Sequence, residues 1–298
     1  MANSGETILA TDYNEIRNKI VDVMGSGSAS YGYGQGIISS SVSNLERVTK
    51  AQWDNLRFDI INARIHQTGE LPSIVQVSTS DPIRYSAASP NYQYSIIADT
   101  ARTERFNVGT GQFAITPAAS RSTSASWNAS QTVTLTVLFS TAQQARYFFN
   151  SGGKVRFSST RSGGTVSQQN QAWTNLLSSA GTSDFGGNSP AVSFYNLTSS
   201  PQTCFSYSAT SPYSANTYRI SAYCNVANNS GGTATQINFI VTYTDAYIDL
   251  NPATPPGDSV DGTLTLTVEQ IKAAGNLLPA GTFSVTAPTY SITAFSGS

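Results

Sequence analysis

The chain has 298 residues, 16 Lys+Arg against 17 Asp+Glu, a formal net charge of −1, one His and two Cys. That length suits two average domains or one large β domain; a single His argues against a zinc centre, and near-neutrality with few cations argues against a nucleic-acid binder. No run of about 18 apolar residues exists to span a membrane, and 39% hydrophobic with 10% aromatic residues excludes a disordered tail.

Only 11% of residues are charged, while 43 Ser and 34 Thr supply small hydroxyls. Ordinary soluble domains carry roughly 25% charge and stay soluble by it. Two readings follow: a polar, weakly charged secreted or surface β-protein, or a subunit of a large assembly whose contacts would force any buried charge to find a partner. Met1 is followed by Ala2, Asn3, Ser4, Gly5 and Glu6, without a cationic start or an apolar core. No signal peptide is predicted, so synthesis in a cytoplasm is expected. In that compartment Cys204 and Cys224 are expected as two buried thiols rather than a disulfide.

In chain order, Asp12 and Glu15 form a capping-box pattern, and Tyr13, Ile16, Ile20 and Val23 follow helical spacing up to Gly25. Residues 25–36 read as a flexible glycine-rich loop, with Tyr31 and Tyr33 as sticky contacts. Thr49 and Gln52 predict a second helix ending at Gly69. It carries two apolar stripes: Trp53, Leu56, Ile60 and Ala63, and Phe58, Ile61 and Ile65. A helix apolar on two faces needs neighbours on both sides, which either the rest of the chain or another subunit supplies.

From about residue 72 the period changes to two. Val75/Val77 and Tyr92/Tyr94/Ile96 are early strand candidates. Val133, Leu135 and Val137 alternate with threonines, and Phe205/Tyr207, Tyr218–Cys224 and Ile237–Tyr243 repeat the alternation. Turn signals at 162–164, 186–188 and 228–232 separate these runs. Short helices are predicted after Ser140–Gln143, stopped by Gly152 and Gly153, after Ser167, stopped by Gly181, and after Thr267/Gln270, stopped by Gly275. Residues 251–257 read as a linker or a rigid turn. Strands at Thr263–Val268, Phe283/Val285 and Tyr290/Ile292 then belong to a unit too small to fold alone, which docks on the main domain or on a neighbouring chain.

The search for chemistry finds little. His66, near the end of the second helix, reads as a cation favoured by the helix dipole. Gly32–Gly36 lacks the strand–loop–helix context of a phosphate loop. Asp245, Asp249, Asp258 and Asp261 are the densest acid group; their spacing matches no calcium loop, and solvated acids around a turn are the expectation. Exposed Tyr or Trp on a sheet would suit sugar stacking, but composition does not decide it. Residues 105–183 hold six cations and no acid, while 184–298 hold six acids and two cations. Complementary contacts between subunits and chance spacing both account for that asymmetry.

Several stretches resemble structural proteins of marine tailed phages, particularly cyanophage-like myoviruses. They are Ile8–Ile20 followed by Gly25–Gly27, Ala51–Ile60, Ala145–Phe157 with Trp173–Thr182, and Gly262–Leu266 with Leu278–Phe283. The resemblance implies a virion protein made in the host cytoplasm, without catalytic residues, and assembling with copies of itself, as a trimer or higher, and with other virion proteins. A tail-associated place (baseplate, fibre or neck) is expected; a capsid decoration protein and a tail protein that reads a host-surface glycan are the alternatives. The expected fold is mainly β with α: N-terminal helices for attachment or oligomerisation over 1–71, a β-sandwich-like domain with short helical insertions over 72–250, and a linker with a small C-terminal β/α unit over 251–298. Trp53, Leu56, Phe58, Ile61 and Ile65 are the expected assembly interface. No catalytic, cofactor or metal site is predicted, and neither nucleic acid nor membrane is expected as a partner.

Overall fold

A computed structural model describes residues 10–78, 90–247 and 259–297. The chain divides into two compact units. The first comprises Met1–Ala114, Arg146–Gly153 and Lys272–Thr286; the second comprises Ile115–Ala145, Lys154–Ile271 and Ala287–Ser298. These bounds differ from a split near residue 71, and the expected C-terminal unit is shared between the two.

Three helices frame the first unit: α1 (Ala10–Met24), α2 (Lys50–Thr68) and α3 (Pro90–Thr103). In α1, Tyr13, Ile16, Ile20 and Val23 form the buried face, as their spacing demands. Asp12 lies in the first turn of α1. Helix α2 starts at the expected box, with Thr49 and Gln52 each accepting from the other's backbone N–H. It ends at Gly69, whose φ of 78° is left-handed and costs glycine little. The stretch holding Tyr92, Tyr94 and Ile96 is helix α3 and not a strand. Tyr94, Ala98 and Ala101 are buried at spacings of four and three, and the Trp53 ring meets both Tyr13 (5.1 Å) and Tyr94 (5.4 Å). The alternation of Tyr94 and Ile96 thus sits on a helix because burial against α1 and α2 rewards the longer period.

Extended chain wraps these helices, and side-chain amides fasten it. Asn14 donates to the Val42 carbonyl and accepts from its N–H (2.7 and 3.0 Å). Asn62 grips Leu278 in the same two-point way (2.9 and 2.7 Å), and Gln35 grips Ser284 (2.9 and 3.0 Å). Each amide reproduces the donor–acceptor pair that a neighbouring strand would offer, so backbone without ladder partners stays satisfied. Phe283 and Val285 are buried by this arrangement and belong to no strand.

The second unit holds two antiparallel sheets. One has the order β1 (Phe113–Thr123), β8 (Thr263–Ala273), β3 (Lys154–Ser162), β4 (Thr182–Gly186). The other runs β10 (Ser296–Gly297), β2 (Ser130–Leu138), β7 (Gln236–Thr244), β6 (Thr217–Cys224), β5 (Gln202–Ser208), with β9 (Thr289–Ile292) also on β2. Val133, Leu135 and Val137 of β2 are buried while its threonines face outward, and β7 buries Ile237, Phe239, Val241 and Tyr243. Phe157 of β3 and Phe185 of β4 pack on Phe239 of β7 (4.9 and 5.0 Å). Ser159 of β3 hydrogen-bonds the Tyr243 hydroxyl at 2.7 Å. The sheets face one another through these side chains, which gives the β-sandwich-like architecture.

Two short helices interrupt the strands: α4 (Ala142–Asn150), capped by Thr141, and α5 (Gln168–Ala180), capped by Ser167. The expected helix from Thr267 to Gly275 is instead the second half of β8. Its residues 263–271 pair one by one with β3, from Thr263↔Ser162 to Ile271↔Lys154. A Thr-x-x-Gln pattern caps a helix only when the backbone is free to turn, and here the ladder holds it extended.

Candidate functional site

The expected assembly face on α2 is largely spent inside the chain. Trp53 is 1% exposed, and Leu56 and Ile61 are also buried. Only Phe58 and Ile65 remain half-buried. The first stripe and Ile61 of the second are buried inside the chain, so these five residues do not form one open surface.

His66 is likewise not a helix-end cation. It is buried, its ring lies flat on Phe283 (4.1 Å, 16° between planes), and Tyr33 approaches edge-on. Nε2 donates to the Ser151 carbonyl at 2.9 Å. Burial lowers its pKa to about 4, against the opposing pull of that carbonyl, so the ring is neutral near pH 7. Tyr33, expected as a sticky loop residue, is fully buried; its hydroxyl donates to the Arg105 carbonyl (2.6 Å) and accepts from Gln67 (2.8 Å). Tyr31 instead lies under the Arg105 guanidinium at 4.3 Å. The glycine-rich loop is tied down: Tyr33 and Gln35 donate their N–H groups to the Val23 and Met24 carbonyls, which closes the open end of α1.

The separated charges meet in the second unit. Arg156 of β3 forks onto Asp184 of β4 at 2.7 and 3.0 Å, and Lys154 joins at 3.4 Å. Burial alone would raise the Asp184 carboxyl; the Arg156 hydrogen bonds and charge, with Lys154, hold it below the ordinary value. Arg161 reaches Asp261 at 3.4 Å. Asp261 also accepts from the Thr165 N–H and the Asn170 amide, which together with Arg161 outweigh its desolvation and lower its pKa. Part of the charge asymmetry is therefore settled within the chain.

Of the four acids singled out in sequence, Asp249 and Asp258 lie outside the described residues. Asp245 is buried against the Gln169 amide and the Trp173 indole N–H. Among the described residues no group of three or more His, Cys, Asp and Glu could hold a metal ion. Both cysteines are free thiols; Cys224 is buried, whereas Cys204 is half-buried at a bulge in β5 rather than fully enclosed. Burial raises both, Cys204 to about 12, so neither is a ready nucleophile.

Two surface features of the second unit stand out. The first is the edge strand β1. It runs for eleven residues and none of them is buried. Phe113 is 37% and Ile115 is 43% exposed. Proteins blunt sheet edges with short strands, bulges, charges or proline, because bare edges recruit other chains. The other edges here follow that rule: β4 has five residues and carries Asp184, β5 is bulged after Thr203, and β9 and β10 have four and two residues. On β1 only Pro117 and Arg121 do this work.

The second feature is an open cleft of about 290 Å³ between the outer face of α5 and the turn joining β5 to β6. Gln168, Gln171 and Asn175 line one wall; Tyr207, Ser208 and Tyr213 line the other. Asn216, buried at the base of the turn, accepts from the Ala246 and Tyr247 N–H groups at 2.9 Å each and fixes its position. Neither surface carries a sequence motif, and nothing short of the spatial pairing of 168–179 with 207–213 reveals the cleft. Compared with known protein families, with curated proteins and with solved structures, the chain finds no match.

Proposed function

We propose that this chain is a structural subunit of a tailed-phage virion, tail-associated, that works by assembling with copies of itself and with neighbouring virion proteins. The observation that carries the reading is β1, an eleven-residue edge strand with no buried residue, blunted only by Pro117 and Arg121, while the other described edges are short or bulged. Pairing by another chain would satisfy its outward backbone groups and cover Phe113 and Ile115. The charge-poor, hydroxyl-rich composition fits close subunit contacts, and the resemblance of several stretches to phage virion proteins supplies the biological setting. The role is mechanical, and it assigns no bond-making step to any residue.

Quantitative mass spectrometry of purified particles, scaled against the major capsid protein, tests the reading. Tens of copies per particle are expected. Hundreds would move the protein to the capsid surface as a decoration subunit, and its absence from particles would overturn the proposal.

A further inference from the structure

We infer that the cleft between α5 and the β5–β6 turn is a binding site for a neutral saccharide. The inference stands on the cleft alone and goes beyond the assembly reading.

The electrostatics select the ligand class. Both walls come from stretches without one charged residue, 162–183 after Arg161 and 185–218 after Asp184. A nucleotide, a sulfated glycan, an acidic peptide or a metal cation would lose hydration on entering and gain no opposite charge. A neutral polyol loses less and is repaid by directional hydrogen bonds. The walls are built for such bonds: carboxamides on α5 and hydroxyls on the turn each offer donors and acceptors.

Gln171 and Asn175 lie one helical turn apart, and the Gln171 amide N–H donates to Asn175 Oδ1 at 2.8 Å. That bond aligns the two side chains and leaves Gln171 Oε1 as an acceptor beside Asn175 Nδ2 as a donor. Two adjacent sugar hydroxyls match this pair, one donating and the next accepting. The apolar C–H face of a sugar ring needs an aromatic surface, and Tyr207, 37% exposed, supplies one on the facing wall. Tyr213 is held by Tyr247, with ring centroids 4.5 Å apart, so the turn presents an ordered surface. The volume sits near the lower end of small-molecule sites, roughly 300–1,000 Å³, which suits a short saccharide more than a long chain.

The test is binding of the full chain to an array of neutral oligosaccharides (glucose-, galactose-, mannose- and N-acetylglucosamine-based trisaccharides) printed beside sialylated and sulfated ones. A hit is then measured by calorimetry with the same trisaccharide. The expected result is binding to at least one neutral member. Its affinity should hold between about 50 and 500 mM NaCl and fall about tenfold or more in Tyr207→Ala and in Gln171→Ala. Both positions are exposed, and an unchanged melting temperature separates lost binding from lost fold. Failure of every neutral member to bind, selective binding of charged glycans, or affinity indifferent to both substitutions would overturn the inference. None of these results bears on copy number in particles, so this inference and the assembly reading fail separately.

Discussion

The two units solve the same backbone problem by different means. In the second unit, strands satisfy one another: β7 lies between β2 and β6 with each residue paired, and β8 is matched to β3 over nine positions. In the first unit, long extended segments run between helices without forming a sheet, and single amides take the place of a neighbouring strand. A ladder spreads its stability over many equivalent bonds. A clamp concentrates it in one side chain, so the first unit should be far more sensitive to single substitutions at polar positions.

The largest expected effect is at Trp53, which joins α1 and α3 through Tyr13 and Tyr94. Trp53→Ala should cost about 3–5 kcal/mol, read as a lower urea midpoint. Hydrogen exchange should speed first over 10–24, 50–68 and 90–103 while 236–244 stays protected. Simultaneous loss in both regions would break the contrast between the units.

Next comes pH. The His66 pKa falls from about 6.5 unfolded to about 4 folded, so between those values the unfolded chain binds the extra proton. Its contribution is complete above pH 6.5 and is lost as pH falls toward 4, by about 3 kcal/mol in all. His66→Gln should flatten the stability curve by that amount over this window, checked by urea titrations at several pH values. An unchanged slope would show that His66 titrates normally.

A smaller effect is expected at the clamps. Asn62→Ala leaves the Leu278 N–H and carbonyl without their amide partner and should cost about 2 kcal/mol, with faster exchange of the Leu278 amide. Replacing an outward threonine of β2, such as Thr134→Ala, should change stability by less than about 0.5 kcal/mol, which sharpens the comparison. The smallest effect on stability belongs to the edge. Ile115→Lys should leave the melting temperature within about 2 °C yet shift the purified chain toward monomer in light scattering, because a lysine on an edge opposes strand addition.

How much of this was legible follows from how local each cause is. The Thr49–Gln52 box, the Gly69 stop, the Ser167 cap and the alternation in β2, β6 and β7 are short-range patterns, and each appears where it was expected. Tyr94 and Ile96 fit both periods, and only packing against α1 and α2 decides between them. Strand β1 shows no alternation because neither of its faces is buried. The α2 stripes were visible, but the ring cover that α1 and α3 give Trp53 was not, so Trp53, Leu56 and Ile61 read as a face awaiting another chain. His66 looked like a surface cation because its stacking partner Phe283 is more than two hundred residues away in sequence. The cleft joins two uncharged stretches that are ordinary apart.

The division of the chain carries a consequence for how the protein is made. The clamps of Gln35 and Asn62 and the stacking of His66 all wait for residues 278–284, which belong to the first unit by contact yet are made more than two hundred residues later. A ribosome adding about 5–20 residues per second needs roughly 6–24 s to pass from residue 153 to residue 272. During that interval the N-terminal helices have emerged but lack their last segment, and the second unit still lacks β8, β9 and β10. Until residues 272–286 are made, His66 and its neighbouring backbone stay open to water, and chaperones acting on the nascent chain would meet them in that state.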